Sequence, residues 1–316
     1  MPDGRYRFYT ADVFTDQAFG GNPLAVFPNA EDLTTDEMQR IANEFNLSET
    51  VFVLPPQEAR HTKQLRIFTP HHELPFAGHP TVGTAVVLAS MGEIACDTPE
   101  ALVIFEEGIG PIPVTIRKAA GQATYAQFSV AQLPAFGPPA PPPEAVAAAL
   151  SLSVDDLELH TTPIQTASCG MPFMYVPVRH LAGVQRARVH QAALEQLPTH
   201  AWTSQLYVYT RETVTPDADV HARMFAPALG VGEDPATGSA AASLAGVLAL
   251  TATSTSGTLR WRIEQGFEMQ RPSLIDVEAD MQDGLITAVR VGGQAVLISQ
   301  GEMFVRQSIK PSNPQV

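Results

Sequence analysis

The sequence predicts an α+β protein built from two similar lobes, and three observations lead to this fold class. One motif occurs twice, half a chain apart. A stretch with six prolines, residues 133–143, lies between the two copies. The remaining pattern shows many short strand-like segments and only two or so helices in each half. Antiparallel strands with one long helix per lobe are typical of an α+β fold and not of a doubly wound parallel sheet.

The repeated motif has two parts. In the first part, Arg, Phe and Pro recur at a spacing of 157 residues (66 to 223, 68 to 225 and 70 to 227). In the second part, Pro, Gly, a hydroxyl residue and Ala recur at a spacing of 155 residues (80 to 235, 83 to 238, 84 to 239 and 85 to 240). His79 of the first copy aligns with Asp234 of the second. The copies therefore differ where chemistry is expected, which indicates an enzyme with its site between pseudo-symmetric halves.

Each copy of the motif predicts a strand, a loop and then a helix that begins at a proline. Proline suits the first helical position because its missing N–H has no intrahelical partner there. His79 and Asp234 are therefore predicted at N-cap positions, with Gly83 and Gly238 in the first turns. Two helix N-termini that face one cleft would bind a small acidic substrate through free N–H groups. The alternative is that Asp234 only caps its helix, but the matched positions favour a site.

The first half is predicted to contain seven strands and two helices. A capping box formed by Thr34 and Glu37 predicts the start of the first helix. One apolar face at helical spacing follows it, formed by Met38, Ile41, Ala42 and Phe45. The run of small residues from 80 to 90 predicts the second helix. The strands are expected near residues 6–14, 24–28, 51–54, 65–69, 101–106, 112–117 and 124–130.

The proline-rich stretch can be neither a helix interior nor a central strand, so it is interpreted as a linker. It separates an N-terminal lobe, residues 1–132, from a C-terminal lobe, residues 133–316. Helices are predicted for residues 181–197 and 235–250. Asp283-Gly284 and Gly292-Gly293 stand between apolar runs and predict hairpin turns. The strands are expected near residues 163–168, 172–178, 205–210, 220–225, 258–264, 273–280, 285–291 and 294–299.

The composition is typical of an enzyme of the cell interior. A chain of 316 residues suggests about two domains, and a mean hydropathy of +0.01 excludes a mainly disordered chain. The formal charge of −14 argues against a nucleic-acid partner. No apolar run is long enough to span a membrane, and residues 1–8 lack the apolar region of a signal peptide. Because Cys96 and Cys169 are the two cysteines, a reducing compartment is expected, and the cytoplasm is the predicted location.

Glu49 is the strongest single catalytic candidate. It stands where the first predicted helix ends and a strongly apolar strand begins, flanked by Leu47, Val51 and Phe52. Partial burial there would raise the pKa of its carboxyl group and allow proton transfer near neutral pH. The alternative is a solvated turn residue, and sequence alone does not place Glu49 in the cleft.

Five motifs occur in a fixed order along the chain. They are residues 10–14 (TADVF), 20–26 (GGNPLAV), 48–52 (SETVF), 73–81 (ELPFAGHPT) and 232–240 (GEDPATGSA). Together they resemble the motifs of the PhzF-like (phenazine biosynthesis) family over essentially the whole chain. The resemblance implies the diaminopimelate epimerase-like fold, in which two lobes each wrap a curved, mostly antiparallel sheet around a central helix. It also implies that the last residues return to pack on the first lobe.

The same resemblance implies an isomerase that uses no metal and no cofactor, as in the isomerisation of trans-2,3-dihydro-3-hydroxyanthranilate. Glu49 would shuttle the proton, while His79 and Asp234 would hold and polarise the substrate. The implied binding residues are Ser48, Gly78, Thr237, Gly238 and Ser239. The expected ligand is a small carboxylic acid, and a homodimer is expected. The sequence does not name the substrate.

Related epimerases and proline racemases use a thiol in each lobe, but here Cys96 and Cys169 lie outside both motifs. Two-thiol racemisation is therefore disfavoured. A zinc site at His71, His72 and Glu73 is also disfavoured, because adjacent histidines project differently and a solvated loop explains them. Two alternatives stay open beside the isomerase. One is a non-catalytic protein that binds a small ligand, and the other is a cofactor-independent epimerase without thiol bases.

Overall fold

The chain folds into a mixed β-sheet with few helices, as a computed structural model shows. The structure describes residues 4–96, 98–118, 124–197 and 202–305. The helices are α1 (Thr35–Phe45), α2 (Gly78–Ser90), α3 (Pro143–Ala149), α4 (Leu181–Arg186), α5 (Gln191–Glu195) and α6 (Gly238–Ala249).

The first nine strands are β1 (Arg5–Val13), β2 (Asn22–Phe27), β3 (Glu49–Leu54), β4 (Lys63–Phe68), β5 (Glu73–Leu74), β6 (Glu100–Glu107), β7 (Gly110–Arg117), β8 (Tyr125–Ser129) and β9 (Ala135–Phe136). Those that follow are β10 (Gln165–Ser168), β11 (Pro172–Pro177), β12 (Leu206–Thr210), β13 (Val220–Ala226), β14 (Val231–Asp234), β15 (Gly257–Gln265), β16 (Ser273–Gln282) and β17 (Leu285–Phe304).

The strands of the first half close on themselves through β17. The hydrogen-bonded order is β17, β1, β2, β3, β4, β6, β7, β8 and again β17. The pairs β2–β3 and β4–β6 are parallel, and the other pairs in this ring are antiparallel. A closed ring leaves no edge strand open to pair with another chain.

The strands of the second half continue from the other part of β17. Their order is β17, β16, β15, β13, β12, β11, β10 and β9. Here too, two pairs are parallel, β13–β15 and β11–β12. The fold class is therefore confirmed in part: the sheet is mixed and the helices are few. Because β17 belongs to both sets of strands, the sheet is continuous and does not itself divide into two separate lobes.

Two helices lie against the two sets of strands. Helix α2 contacts β1, β2, β3, β7, β8 and β17, whereas α6 contacts β10, β11, β15, β16 and β17. Residues 78–89 of α2 and residues 240–248 of α6 are buried on every face. A helix that is apolar all round requires neighbours on all sides, which explains the small-residue runs that predicted these two helices.

The prediction of a hairpin at Gly292-Gly293 is wrong, because β17 runs straight through both residues. A Cβ on Gly292 would lie 2.5 Å from the Tyr125 hydroxyl oxygen, and a Cβ on Gly293 would lie 2.5 Å from a ring carbon of Phe14. These glycines therefore allow close packing at the point where β17 passes from one strand set to the other. The turn at Asp283-Gly284 is confirmed.

Helix α1 begins as predicted, since Thr34 and Glu37 form the capping box. The single helix predicted for residues 181–197 is wrong. The chain leaves the helical conformation at Ala187 (φ −53, ψ 134). The N–H groups of Arg188 and His190 bind carbonyl groups at the end of α3 instead. Tertiary hydrogen bonds therefore override a helical sequence pattern and produce the two short helices α4 and α5.

The proline-rich segment 133–143 contains the short strand β9, which pairs with β10. Its last residue, Pro143, is the first residue of α3, a position where the missing N–H has no cost. At the other end of the described chain, β17 pairs antiparallel with β1, from Val13 opposite Ala295 to Arg5 opposite Phe304. Within the described ranges, no helix is both long enough and apolar enough to cross a membrane.

Candidate active site

The structure brings Glu49, His79 and Asp234 together from three separate elements. Glu49 is the first residue of β3, His79 the second residue of α2, and Asp234 the last residue of β14. The Oε2 atom of Glu49 lies 3.2 Å from Nε2 of His79. The charge of Asp234 contributes to the raised pKa of Glu49, so the two carboxyl groups are close enough to interact.

The starts of α2 and α6 meet at this point. A Cβ on Gly78 would lie 3.2 Å from the Cα of Gly238, and a Cβ on Gly238 would lie 3.4 Å from the Cα of Gly78. Only residues without a side chain let two backbones approach so closely. Gly78 and Gly238 are therefore placed where the two helix N-termini converge.

The N-cap positions predicted for His79 and Asp234 are wrong. The N-cap of α2 is Ala77, and that of α6 is Thr237. His79 lies inside the first turn. The prediction took Pro80 as the first helical residue, but proline is tolerated at any position of the first turn, where no N–H group has an intrahelical partner. Asp234 lies three residues before its helix cap and binds the Thr237 hydroxyl group at 2.5 Å.

Burial sets the protonation of the Glu49–His79 pair. It raises the pKa of Glu49 to about 8, and the negative charge of Asp234 adds to the effect. Burial lowers the pKa of His79 to about 3, against a hydrogen bond to the Pro23 carbonyl group. At neutral pH, Glu49 is therefore mostly a carboxylic acid and His79 a neutral imidazole.

The facing atoms of Glu49 and His79 have no hydrogen-bond partner. Although Oε2 of Glu49 and Nε2 of His79 are 3.2 Å apart, both atoms are buried and neither makes a hydrogen bond of good geometry. Because Nε2 has no partner, the hydrogen bond to the Pro23 carbonyl group is assigned to the other ring nitrogen, Nδ1. Buried polar atoms without partners are rare in native proteins, and here two of them face each other from different elements.

Asp234 is held by a network of side chains. Its carboxylate accepts hydrogen bonds from Asn22 Nδ2 at 2.8 Å and from the Thr237 hydroxyl group. Gln265 donates to the Asp234 carbonyl oxygen at 2.8 Å and to the Thr237 hydroxyl oxygen at 3.0 Å. Burial raises the pKa of Asp234 to about 6, while the bonds from Thr237 and Asn22 oppose the rise.

Asn22 and Gln265 were not among the predicted site residues. Asn22 could have been found, because it lies in the GGNPLAV motif at the start of β2. There, Asn22 binds Asp234 while the next residue, Pro23, accepts a hydrogen bond from His79. Gln265 lies at the end of β15 in no recognised motif. Its contact with Asp234 follows from the packing of β15 against the start of α6, which the sequence pattern did not predict.

The predicted binding residues surround the same point. Gly78, Gly238 and Thr237 are buried at the helix starts, while Ser48 and Ser239 are partly exposed. The Thr237 N–H group binds Oε1 of Gln265 at 3.3 Å, so this group is not free for an anion. One of the free N–H groups that the sequence predicted at the start of the second buried helix is therefore already engaged.

Other features lie away from this point. His71 and His72 are exposed in a loop, and no group of three His, Cys, Asp or Glu side chains within the described residues has a metal-binding arrangement. Burial raises the pKa of the Cys169 thiol to about 12. A cleft of about 920 Å³ is lined by residues such as Arg117, Tyr125 and Trp261, but by none of Glu49, His79 and Asp234. The unpartnered buried atoms, and not cleft size, therefore define the candidate site.

Comparison with known proteins gives consistent results. Residues 11–301 match the family model described as phenazine biosynthesis-like protein. An uncharacterized isomerase of Mesorhizobium japonicum is 42% identical over 96% of this chain and 100% of its own length. The trans-2,3-dihydro-3-hydroxyanthranilate isomerase of Pseudomonas aeruginosa is 32% identical over 95% of this chain and 100% of its own.

Solved structures agree with the sequence comparison. The crystal structure of a Bacillus anthracis phenazine biosynthesis protein of the PhzF family superimposes with a TM-score of 0.87. It is 26% identical and covers 95% of this chain and 99% of its own. The family match spans nearly the whole described chain, from β1 into β17. The chain therefore belongs to the phenazine biosynthesis-like (PhzF) family.

Proposed function

We propose that this chain is an isomerase that moves a proton within a small cyclic or amino carboxylic acid by acid–base catalysis. The observation that carries the proposal is the Glu49–His79 pair. A carboxyl group with a pKa of about 8 lies 3.2 Å from a neutral imidazole, and both facing atoms are buried without partners. The names of the relatives support the reaction class, since several are isomerases.

Glu49 would act first as a base and then as an acid. At neutral pH a minority of the enzyme carries ionised Glu49, on the order of one molecule in ten for a pKa of about 8. That carboxylate removes a proton from an activated C–H bond, and the electron pair moves into the conjugated system of the substrate. The protonated carboxyl group then delivers the proton to another carbon atom. The proton count of the enzyme is unchanged after each turnover.

His79 and Asp234 would bind the polar groups next to the reacting carbon. With Nδ1–H bound to the Pro23 carbonyl group, Nε2 of His79 is an acceptor for a substrate hydroxyl or amino group. Asp234 has a pKa of about 6, so it is mostly ionised at pH 7 and attracts an ammonium or amino group. The converging starts of α2 and α6 offer positive dipole ends to a carboxylate.

A ring that carries a carboxylate, an amino group and a hydroxyl group fits this arrangement. Trans-2,3-dihydro-3-hydroxyanthranilate, named for the Pseudomonas aeruginosa relative, has all three. We propose this compound as the first substrate to assay. The more similar relative is an uncharacterized isomerase, so the assay also includes other small aromatic and amino acids, screened by the rise in Tm that a bound ligand produces.

We also propose that the continuous sheet is best understood as two pseudo-symmetric lobes of the diaminopimelate epimerase type, residues 1–132 and 133–316. The two parallel pairs in each strand set and the central helix of each set support this division. A cytoplasmic homodimer is proposed with it. Sedimentation equilibrium at several protein concentrations measures the oligomeric state, and a concentration-independent monomer would reject the dimer.

The decisive experiment combines isotope exchange with the Glu49→Gln variant. In D₂O, the wild-type enzyme is expected to place deuterium at the carbon that receives the proton. The Gln variant keeps the shape of the side chain but lacks the base. It should still bind anthranilate, measured by calorimetry, while exchange and turnover are lost. Undiminished turnover by the variant would remove Glu49 from the mechanism, and binding without any turnover by the wild type would favour the ligand-binding alternative.

A further inference from the structure

Glu107, at the end of β6, is a second buried acid beside the helix that carries His79. Its side chain is nearly inaccessible, with 8% of the residue exposed. The Oε1 atom lies 2.7 Å from the hydroxyl oxygen of Thr81, and Oε2 is buried without a partner. Thr81 belongs to the first turn of α2, two residues beyond His79. Glu107 has no role in the chemistry described above.

The hydrogen count around Thr81 indicates the protonation state of Glu107. The Thr81 hydroxyl group lies 2.8 Å from the carbonyl oxygen of Ala77, the N-cap of α2, as well as 2.7 Å from Glu107. A hydroxyl group has one hydrogen and donates one bond. Both contacts become hydrogen bonds only when Glu107 is protonated and donates to Thr81, which then donates to Ala77. The unpartnered Oε2 fits this state, because an uncharged oxygen costs less to bury than an ionised one.

The second half of the chain has an uncharged amide at the equivalent place. Glu106 and Glu264 correspond, because each lies in the parallel pair of its half and accepts hydrogen bonds from two successive backbone N–H groups. The residues that follow them are Glu107 and Gln265. Gln265 braces the start of α6, since its amide donates to the Asp234 carbonyl oxygen and to the hydroxyl oxygen of the N-cap, Thr237. A protonated glutamate is the closest chemical equivalent of a glutamine.

We propose that Glu107 is a positioning residue that works as an uncharged acid: through the Thr81 hydroxyl group it braces the first turn of α2, and with it His79, as Gln265 braces the start of α6 and Asp234. Ionisation of Glu107 would leave the Thr81 hydrogen contested between a carboxylate and the Ala77 carbonyl group. The brace at the start of α2 would then be lost.

The surroundings of Glu107 agree with an uncharged state. Burial raises its pKa to about 8, and the hydrogen-bonding contact with Thr81, which would favour the ionised form, opposes the rise. The charged and titratable side chains on the neighbouring elements are engaged elsewhere. They are Lys63 with Glu93, Arg66 with Glu73, Arg117 with Glu100, Glu106 with His61, and the uncharged His79 with the Pro23 carbonyl group.

The first test is the pH dependence of unfolding in urea for the wild type and Glu107→Gln. The folded pKa of Glu107 lies above its unfolded value of about 4.5, so its stabilising effect is full below pH 4.5 and is lost as the pH rises to about 8. Relative to the Gln variant, the unfolding constant of the wild type should rise by up to roughly 10³-fold between pH 5 and pH 9. Titration of Glu49 and Asp234 is common to both proteins and cancels. Parallel pH courses would overturn the proposal.

The matched control makes the reverse substitution at the equivalent position in the second half of the chain. Gln265→Glu places an acid where the neutral amide stands, so its stability should acquire a new loss with rising pH, of the same sign. A flat pH course for this variant, relative to the wild type, would contradict the equivalence of the two positions. Should Glu107→Gln not fold, infrared spectroscopy of Glu49→Gln protein replaces it. An infrared band of a protonated carboxyl group is expected at pH 7 and should titrate away with a midpoint near pH 8. Absence of this band at pH 7 would overturn the proposal.

A kinetic test of Glu107 depends on the proposed isomerase activity, whereas the unfolding measurements do not. With a confirmed substrate, Glu107→Gln should keep turnover at pH 7 and lose the part of the alkaline decline that Glu107 causes, while Glu107→Ala should lose turnover at all pH values. A purely structural residue would lower stability in both variants without changing the shape of the pH profile. Absence of any turnover in the wild type would reject the isomerase and leave the unfolding test of Glu107 intact.

Discussion

The two copies of the repeated motif share their scaffold and differ in their chemistry. Arg66 binds Glu73 through two hydrogen bonds, and Arg223 binds Glu233 in the same way. Each arginine also lies over a phenylalanine ring two residues further on, at 5.2 Å and 4.8 Å. We call these contacts of the arginine with a glutamate and a phenylalanine the frame of each copy. After the frame, one copy has His79 and the other has Asp234. The arginine, glutamate and phenylalanine contacts are therefore common to both copies, and the difference at one aligned position provides two unlike polar groups.

Burial also distinguishes the two frames. The side chain of Arg66 is 23% exposed and that of Glu73 is 38% exposed, whereas the values for Arg223 and Glu233 are 3% and 18%. Arg223 additionally donates to the carbonyl groups of residues 184, 185 and 187 near the end of α4. The same ion pair is therefore a surface contact in the first copy and a buried junction in the second.

The largest expected effect comes from making the first copy resemble the second at position 79, which has a proposed catalytic role. His79→Asp would replace the neutral acceptor 3.2 Å from Glu49 with a second carboxyl group, which disfavours ionisation of Glu49. Turnover should fall by roughly 10² to 10⁴-fold, the scale of a lost acid–base partner. Thr84→Ser is the matched control, since it copies the aligned Ser239 at a residue outside the proposed mechanism. Steady-state kinetics at pH 7 measure both variants, and an active His79→Asp enzyme would show that the difference between the copies is not catalytic.

The next effect concerns the two arginines. Arg223→Met leaves Glu233 without its cation and three carbonyl groups without their donor, so the free energy of unfolding should fall by about 3–5 kcal/mol. Arg66→Met breaks a partly exposed pair, for which about 0–1 kcal/mol is expected. Urea unfolding at pH 7 measures both losses. Equal losses would mean that burial does not distinguish the two frames.

A third effect is confined to the second copy. His221 binds Glu264 at 2.7 Å and Glu268 at 3.1 Å in a fully buried position. Burial opposes its charge, but the two carboxylates prevail and raise its pKa to about 9. Because the folded pKa exceeds the unfolded value, this stabilisation is present below pH 6.5 and is lost as the pH rises to about 9.

The measurement for His221 is the free energy of unfolding between pH 6 and pH 10. The decline attributable to this residue has an upper limit of about 3 kcal/mol, and His221→Gln should not show it. Glu268→Gln is the control that removes one of the two carboxylates, so its decline should be smaller and should occur at lower pH. If the wild type and His221→Gln decline equally, then His221 is uncharged in the folded protein.

The sequence predicted the parts of the fold that depend on local patterns. The capping box of α1, the two buried helices and the turn at Asp283-Gly284 follow from spacing and composition within one segment. The candidate residues Glu49, His79 and Asp234 came from motifs, and the structure shows them close together. Distances between segments were not predictable, and the helix predicted for residues 181–197 failed because its end binds α3 instead of continuing.

Glycine was the least predictable residue from sequence. Gly292-Gly293 has the composition of a turn, yet both residues lie inside β17 because neighbouring side chains leave no room for a Cβ. Gln265 and Glu107 gave no local signal either, because their partners are 28 and 26 residues away in the chain. Their roles depend on which strand end meets which helix start, and this is a property of the sheet order.

The smallest expected effect tests the meeting point of the two copies, Gly78 and Gly238. A Cβ on Gly78 would lie 3.2 Å from the Cα of Gly238 and 3.2 Å from the ring of Phe128. A Cβ on Gly238 would meet the ring of Phe14 at 3.3 Å and the Cα of Gly78 at 3.4 Å. The first site is tighter, because its backbone neighbour lies at 3.2 Å, whereas the backbone neighbour of the second site lies at 3.4 Å.

Gly78→Ala should therefore lower the free energy of unfolding by about 1–2 kcal/mol, at the lower end of the cost of overpacking. Each glycine is the first residue of its helix, so both changes gain helix propensity, worth about 0.5–1 kcal/mol at an interior position and less at a helix start; only at Gly238 is the crowding mild enough for this gain to offset it. The net change for Gly238→Ala should stay within about 0.5 kcal/mol. Urea unfolding of both variants at pH 7 gives the difference. A greater loss of stability in Gly238→Ala would mean that packing against the Phe14 ring is less tolerant of an added methyl group than packing against the Phe128 ring.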